Sequence, residues 1–146
     1  MQFIPIPRQE TIPTFDPTEY KVQLIENFAA GELSVPEALS LLKQRPFQTG
    51  LGWYLYLDPD GEGEFMEVLC DGTWLALGVS DGGTENYYSY NPAFTNVTEF
   101  TGLRSGGQSP VEKELALTDI DAGIRAVEYF IHTGQLYPGI DWAKQL

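Results

Sequence analysis

The sequence predicts an α+β fold: a meander of five or six antiparallel strands packed against a C-terminal helix and preceded by two N-terminal helices. Three observations carry this. Apolar residues recur at helical spacing before Arg45 and again after Asp119. Between Trp53 and Leu103, short aromatic and aliphatic runs alternate with turns rich in Gly and Asp. One of those turns, Asp71-Gly72, has the chemistry of a tight hairpin, which joins antiparallel neighbours.

Residues 1–15 read as an extended arm, because Pro5, Pro7 and Pro13 remove donors and hold their predecessors extended. Residues 16–45 read as a helical extension. Asp16 is placed to cap a first helix, with Pro17 at its first position and Glu19 three residues after the cap. Tyr20, Leu24, Ile25 and Phe28 share its apolar face, and Gly31 is its expected stop. Ser34 and Glu37 have capping-box spacing for a second helix, which Pro46 ends at about Arg45. Strands are then expected at Trp53 to Leu57, Phe65 to Cys70, Trp74 to Val79 and Tyr87 to Tyr90. Val97 to Leu103 resumes the pattern, Ser105 to Pro110 reads as a loop, and Val111 to Leu117 alternates like a strand. Thr118 or Asp119 caps the last helix, whose stripe is Ile120, Ile124, Val127 and Ile131, with Gly134 as its stop. A short tail, LYPGIDW, follows, with Pro138 and Trp142. Residues 1–146 make one domain, with 52–142 as its core.

The charge is unevenly spread. Of a formal net charge of −13, nine units come from Asp58, Asp60, Glu62, Glu64, Glu67, Asp71, Asp81, Glu85 and Glu99, in a stretch from Arg45 to Arg104 with no lysine or arginine between them. The same stretch holds most of the aromatics. Concentrated negative charge repels itself and favours a basic partner over an acidic one. Direct nucleic-acid or anionic-membrane binding is not expected, since phosphate neutralisation needs clustered Lys and Arg. With no recognisable signal sequence or membrane-length apolar run, and a lone Cys70 suited to a reducing compartment, the expected location is the cytoplasm.

No catalytic constellation emerges. DPDGEGEF, from Asp58 to Phe65, resembles the first half of a calcium loop, but its twelfth position, which needs a bidentate carboxylate, is Leu69. It reads as an acidic hairpin turn. Cys70 closes an apolar strand and His132 lies in a last helical turn, so each has an ordinary structural role. One Cys and one His cannot build a zinc site without two carboxylates. Gly82-Gly83 and Gly106-Gly107 lack the glycine spacing and adjoining base of phosphate loops. No metal or cofactor is expected. Among the aromatics, Tyr87, Tyr88 and Tyr90 exceed what one short strand's inner face needs, and tyrosine is favoured at the centre of interfaces.

The C-terminal part carries a resemblance. A strand ending at Leu117, a cap at Thr118 or Asp119, a helix ending in Phe130 and Ile131, then Thr133-Gly134, Pro138 and Trp142 form one series. Upstream stand an acidic hairpin, a strand through Trp74 and Leu77, and Asp81-Gly82-Gly83 before the tyrosines. Over residues 52–142 this resembles the family of bacterial polymorphic toxin systems known as immunity protein one. The resemblance implies an antiparallel sheet packed on helices. It also implies a cytoplasmic antitoxin that binds a secreted toxin domain and occludes its active site; several members are paired with toxins acting on nucleic acid, including deaminases.

The leading expectation is therefore a non-enzymatic immunity protein that plugs the basic cleft of a cognate toxin. The expected partner-binding residues are Asp58, Asp60, Glu62, Glu64, Asp81, Glu85, Tyr87 and Tyr88. A non-catalytic adaptor or chaperone for an effector is the alternative. A hydrolase using a carboxylate pair comes third, because 21 acidic residues supply such pairs by chance.

Overall fold

The computed structural model describes residues 3–14, 21–26, 29–34, 40, 43, 51–58, 63–81, 83, 85–106 and 108–146, with the backbone alone for 21–26, 29–34 and Leu51. Ten strands fall in this set: β1 (Phe3–Ile6), β2 (Lys21–Glu26), β3 (Ala29–Ser34), β4 (Leu51–Tyr56), β5 (Phe65–Cys70), β6 (Leu75–Ser80), β7 (Asn86–Ser89), β8 (Phe100–Ser105), β9 (Ser109–Glu112) and β10 (Trp142–Gln145). One helix, α1, spans Ile120–Thr133. Eight strands form a single antiparallel sheet in the order β1-β10-β7-β6-β5-β4-β2-β3, and β8 and β9 make a separate hairpin.

Two expectations are overturned. The first N-terminal helix is replaced by the β2–β3 hairpin, in which Gly31, the expected helix stop, lies opposite Leu24. Of the second helix, Ser40 and Lys43 are helical, but Ser34, its expected cap, is the last residue of β3; the rest lies outside the described residues, as does Asp16. The expectation of two N-terminal helices therefore fails. So does that of five or six strands, because β1, β2, β3 and the C-terminal tail as β10 join β4 to β7 in the sheet. A run such as KVQLIE satisfies a period of two as well as one face of a helix, and pairing along β4 decides for the strand.

Alternation in β4, β5 and β6 sets the core. Trp53, Leu55, Met66, Val68, Cys70, Leu75, Leu77 and Val79 point to one face and are buried there. Each fully buried large side chain contributes roughly 1.5–3 kcal/mol. α1 covers this face with Ala122, Ala126, Val127, Phe130 and Ile131. Asp119 caps it by accepting from the Ala122 N–H at 3.1 Å, and Gly134 closes it at φ 71°, donating its N–H to the Phe130 carbonyl at 2.8 Å. At Gly123 the helix approaches so closely that a Cβ would lie 2.5 Å from Leu75 Cδ2. The tail then returns as β10. Trp142 is buried among the core side chains and its indole donates to the Tyr137 carbonyl at 2.8 Å.

The opposite face is covered only in part. Leu69, Ala76, Leu103 and Ala116, with Trp74 and Val111, form a second small core beneath the β8–β9 hairpin. The expected strand from Val111 to Leu117 is interrupted: β9 ends at Glu112, a 3-10 turn spans Lys113–Leu115, and Leu117 bridges Leu75. Part of the expected loop from Ser105 to Pro110 is instead strand, at both ends of the hairpin. Where β7 stops, residues 115–117 take its place beside β6. Ser89 fastens them, accepting from the Leu77 N–H at 3.1 Å and donating to the Leu115 carbonyl at 2.7 Å.

Candidate interaction surfaces

The register sends the β4–β5 and β6–β7 connections to the same end of the sheet, since Tyr56 faces Phe65, Phe65 faces Ser80, and Ser80 faces Asn86. Those connections carry Asp58, Asp60, Glu62, Glu64, Asp81 and Glu85. Asp60 and Glu62 lie outside the described residues, and Asp58 is half-buried. Glu64, Asp81, Glu85 and Tyr87 line one concavity of about 430 Å³, together with Ile6, Val79, Ser80 and the end of α1 from Gly134 to Leu136. This brings together four of the eight residues expected from the sequence.

Their carboxylates are not equivalent. Asp81 Oδ1 accepts from the backbone N–H of Gly83 at 2.9 Å and of Glu85 at 3.1 Å, which shapes the turn. Glu85 accepts from the Tyr87 hydroxyl at 2.7 Å and from Lys144 Nζ at 3.0 Å. The Tyr87 hydrogen bond and the Lys144 charge hold its carboxyl below the usual range. Glu64 is exposed and sits beside Gly134, at the seam between turn and helix.

Tyr88 belongs to the other face, as alternation in β7 requires. Its hydroxyl donates to Gln145 at 3.0 Å, and Phe3 meets its ring edge-on at 5.9 Å. The ring lies against Gly78, within 3.6 Å of where a Cβ would stand. Here two adjoining hollows, of about 190 and 240 Å³, share Glu67, Gly78, Tyr88 and Ser105 and make one groove. It opens at Phe65, Ser80 and Asn86, beside the acidic turns, and runs to Pro110 and Glu112 of the hairpin.

Glu67 stands in the middle of this groove. It accepts from the Ser105 hydroxyl at 2.6 Å, from the Gly106 N–H at 3.0 Å, and from Tyr54. Burial, then the bond and charge of Glu67, push the Tyr54 hydroxyl up to about 12, so it stays protonated as a donor. The expected set of binding residues omitted Glu67, Tyr54 and Ser105. A signal for the first was present: among the nine clustered carboxylates, Glu67 alone lies inside an apolar strand run, FMEVLC, at an outward step of the alternation.

Cys70 and His132 are far apart in the fold. Cys70 pairs with Leu75, which packs under Gly123, and His132 follows nine residues later, about 13 Å along the helix axis. Burial, more than the neighbouring Asp71, raises the Cys70 thiol and opposes thiolate formation. Among the described residues, no group of three or more His, Cys, Asp or Glu is placed to hold a metal ion, and no helix is long and apolar enough to cross a membrane. No protein-family model matches the chain, and no curated protein matches it.

Proposed function

We propose that this chain is a cytoplasmic immunity protein that binds a cognate toxin domain and blocks a basic active-site cleft. One observation carries the reading: two acidic turns, separate in sequence, converge at one end of the sheet around a concavity with Tyr87 in its wall. Carboxylates steer a cationic partner, and a rigid tyrosine supplies contact area once the partner arrives. At this end Glu85 meets Lys144, while the stretch from Arg45 to Arg104 that contains both turns has no lysine or arginine between those two residues. The chemistry is inhibition by occupancy, and no bond is made or broken by this protein. A cleft built for a polyanion is basic, so a toxin acting on nucleic acid suits such a surface. The resemblance over residues 52–142 points the same way.

The test is co-expression with the toxin domain encoded beside this gene. Survival only when this chain is present, with recovery of the two as a stable complex, is the expected result. Equal killing with and without it, and no complex, would refute the proposal.

A further inference from the structure

Among the clustered carboxylates, Glu85 meets Lys144 at 3.0 Å and Glu99 meets Lys113 at 2.6 Å. Both are on the rim of the fold. Glu67, half-buried between aromatic rings in the back-face groove, has only neutral donors among the described residues, namely Ser105, Gly106 and Tyr54. Neutral hydrogen bonds satisfy lone pairs but leave the negative charge itself unmatched, so a cation that reaches the groove is attracted to it. No lysine or arginine is among the described residues lining either hollow of the groove. The walls are Tyr54, Phe65 and Tyr88, and Glu112 adds a second negative charge toward the hairpin end. The Tyr88 wall rests on Gly78, whose missing side chain lets the ring pack close to the sheet.

We propose that this groove seats an arginine side chain of a protein partner, with Glu67 as its counter-charge. The guanidinium is planar and stacks on aromatic faces, and one of its N–H groups can take the acceptor site of Glu67 that Ser105, Gly106 and Tyr54 leave open. An ammonium satisfies the charge but not the flat, ring-walled shape. Each hollow has room for several waters at roughly 30 Å³ apiece, enough for a guanidinium displacing them. The groove opens beside the acidic turns, so a partner drawn there reaches it without crossing the sheet. That the partner is the toxin rests on the function proposed above; the arginine site itself does not.

The experiment is a residue-resolved amide NMR titration of the full chain with N-acetyl-arginine amide, and in parallel with N-acetyl-lysine amide. Arginine is expected to shift Tyr54, Glu67, Gly78, Tyr88 and Ser105, with lysine binding more weakly. Glu67→Gln removes the charge and turns one of the two accepting oxygens into a donor, and is expected to weaken arginine binding about tenfold. Gly78→Val keeps the charge but pushes the Tyr88 ring out of place, and is expected to abolish the same shifts. Asp81→Asn with Glu64→Gln leaves them in place. Shifts confined to the acidic turns, or equal binding to Glu67→Gln, would overturn the site. Arginine binding without protection from the toxin would keep the groove and discard the antitoxin reading. Protection without arginine binding would do the reverse.

Discussion

Ser89 shows how one buried hydroxyl joins two parts of the fold. It is fully buried, and it satisfies both the Leu77 N–H and the Leu115 carbonyl. Ser89→Ala strands both groups, and unfolding by urea is expected to show a loss of about 1–3 kcal/mol. An unchanged midpoint would mean that water replaces the hydroxyl. Glu85 makes a pH-dependent contribution of known sign. Its carboxyl is held below the ordinary range by Tyr87 and Lys144, so the stabilisation is complete above the unfolded value of about 4.3 and is lost as pH falls through the folded value. In thermal melts, the advantage of the wild type over Glu85→Gln should therefore shrink on acidification. A gap constant between neutral and acid pH would contradict this.

At the scale of elements, α1 is fixed to the sheet by the close approach at Gly123. Leu75 is fully buried, so it has little room to move aside for a Cβ 2.5 Å away. Gly123→Ala is expected to cost about 1–3 kcal/mol by overpacking, despite alanine's better helix propensity, as read by denaturant unfolding. A stabilised variant would show that Leu75 repacks freely. This helix was legible in the sequence: a cap at Thr118 or Asp119, an apolar stripe and a Gly134 stop are local signals, and the structure places the cap at Asp119 and the stop at Gly134. β5 was equally legible, from Phe65 to Cys70. The segment from Lys21 to Ser34 was not, because its apolar spacing suits helix and strand alike, and its strand state comes from pairing with β4, distant in sequence. The break after Glu112 was hidden for a similar reason: Leu117 leaves the alternation to bridge Leu75. The site was half legible. Turn carboxylates announce themselves by composition, and alternation separated Tyr87 from Tyr88. The groove around Glu67 was hidden because Ser105 and Gly106 reach it only through the fold of the hairpin over the sheet.

At the scale of the molecule, the chain accepts self-repulsion in one place. The order of strands puts both acidic turns at one end of the sheet, and neither turn contains a lysine or arginine. Such a concentration of charge acts at a distance, up to about a Debye length of 8 Å at physiological salt, and so it acts on encounter more than on the finished complex. In the proposed complex the groove would contribute at short range, where desolvated contacts slow dissociation. The most direct test is the association rate constant with the cognate toxin domain, measured by stopped flow at low and high ionic strength for the wild type and for a variant carrying Asp58→Asn, Glu64→Gln, Asp81→Asn and Glu85→Gln. The account expects the variant to associate at least about tenfold more slowly at low salt, with the two rates converging at high salt. An association rate unchanged by the substitutions at low salt would contradict it.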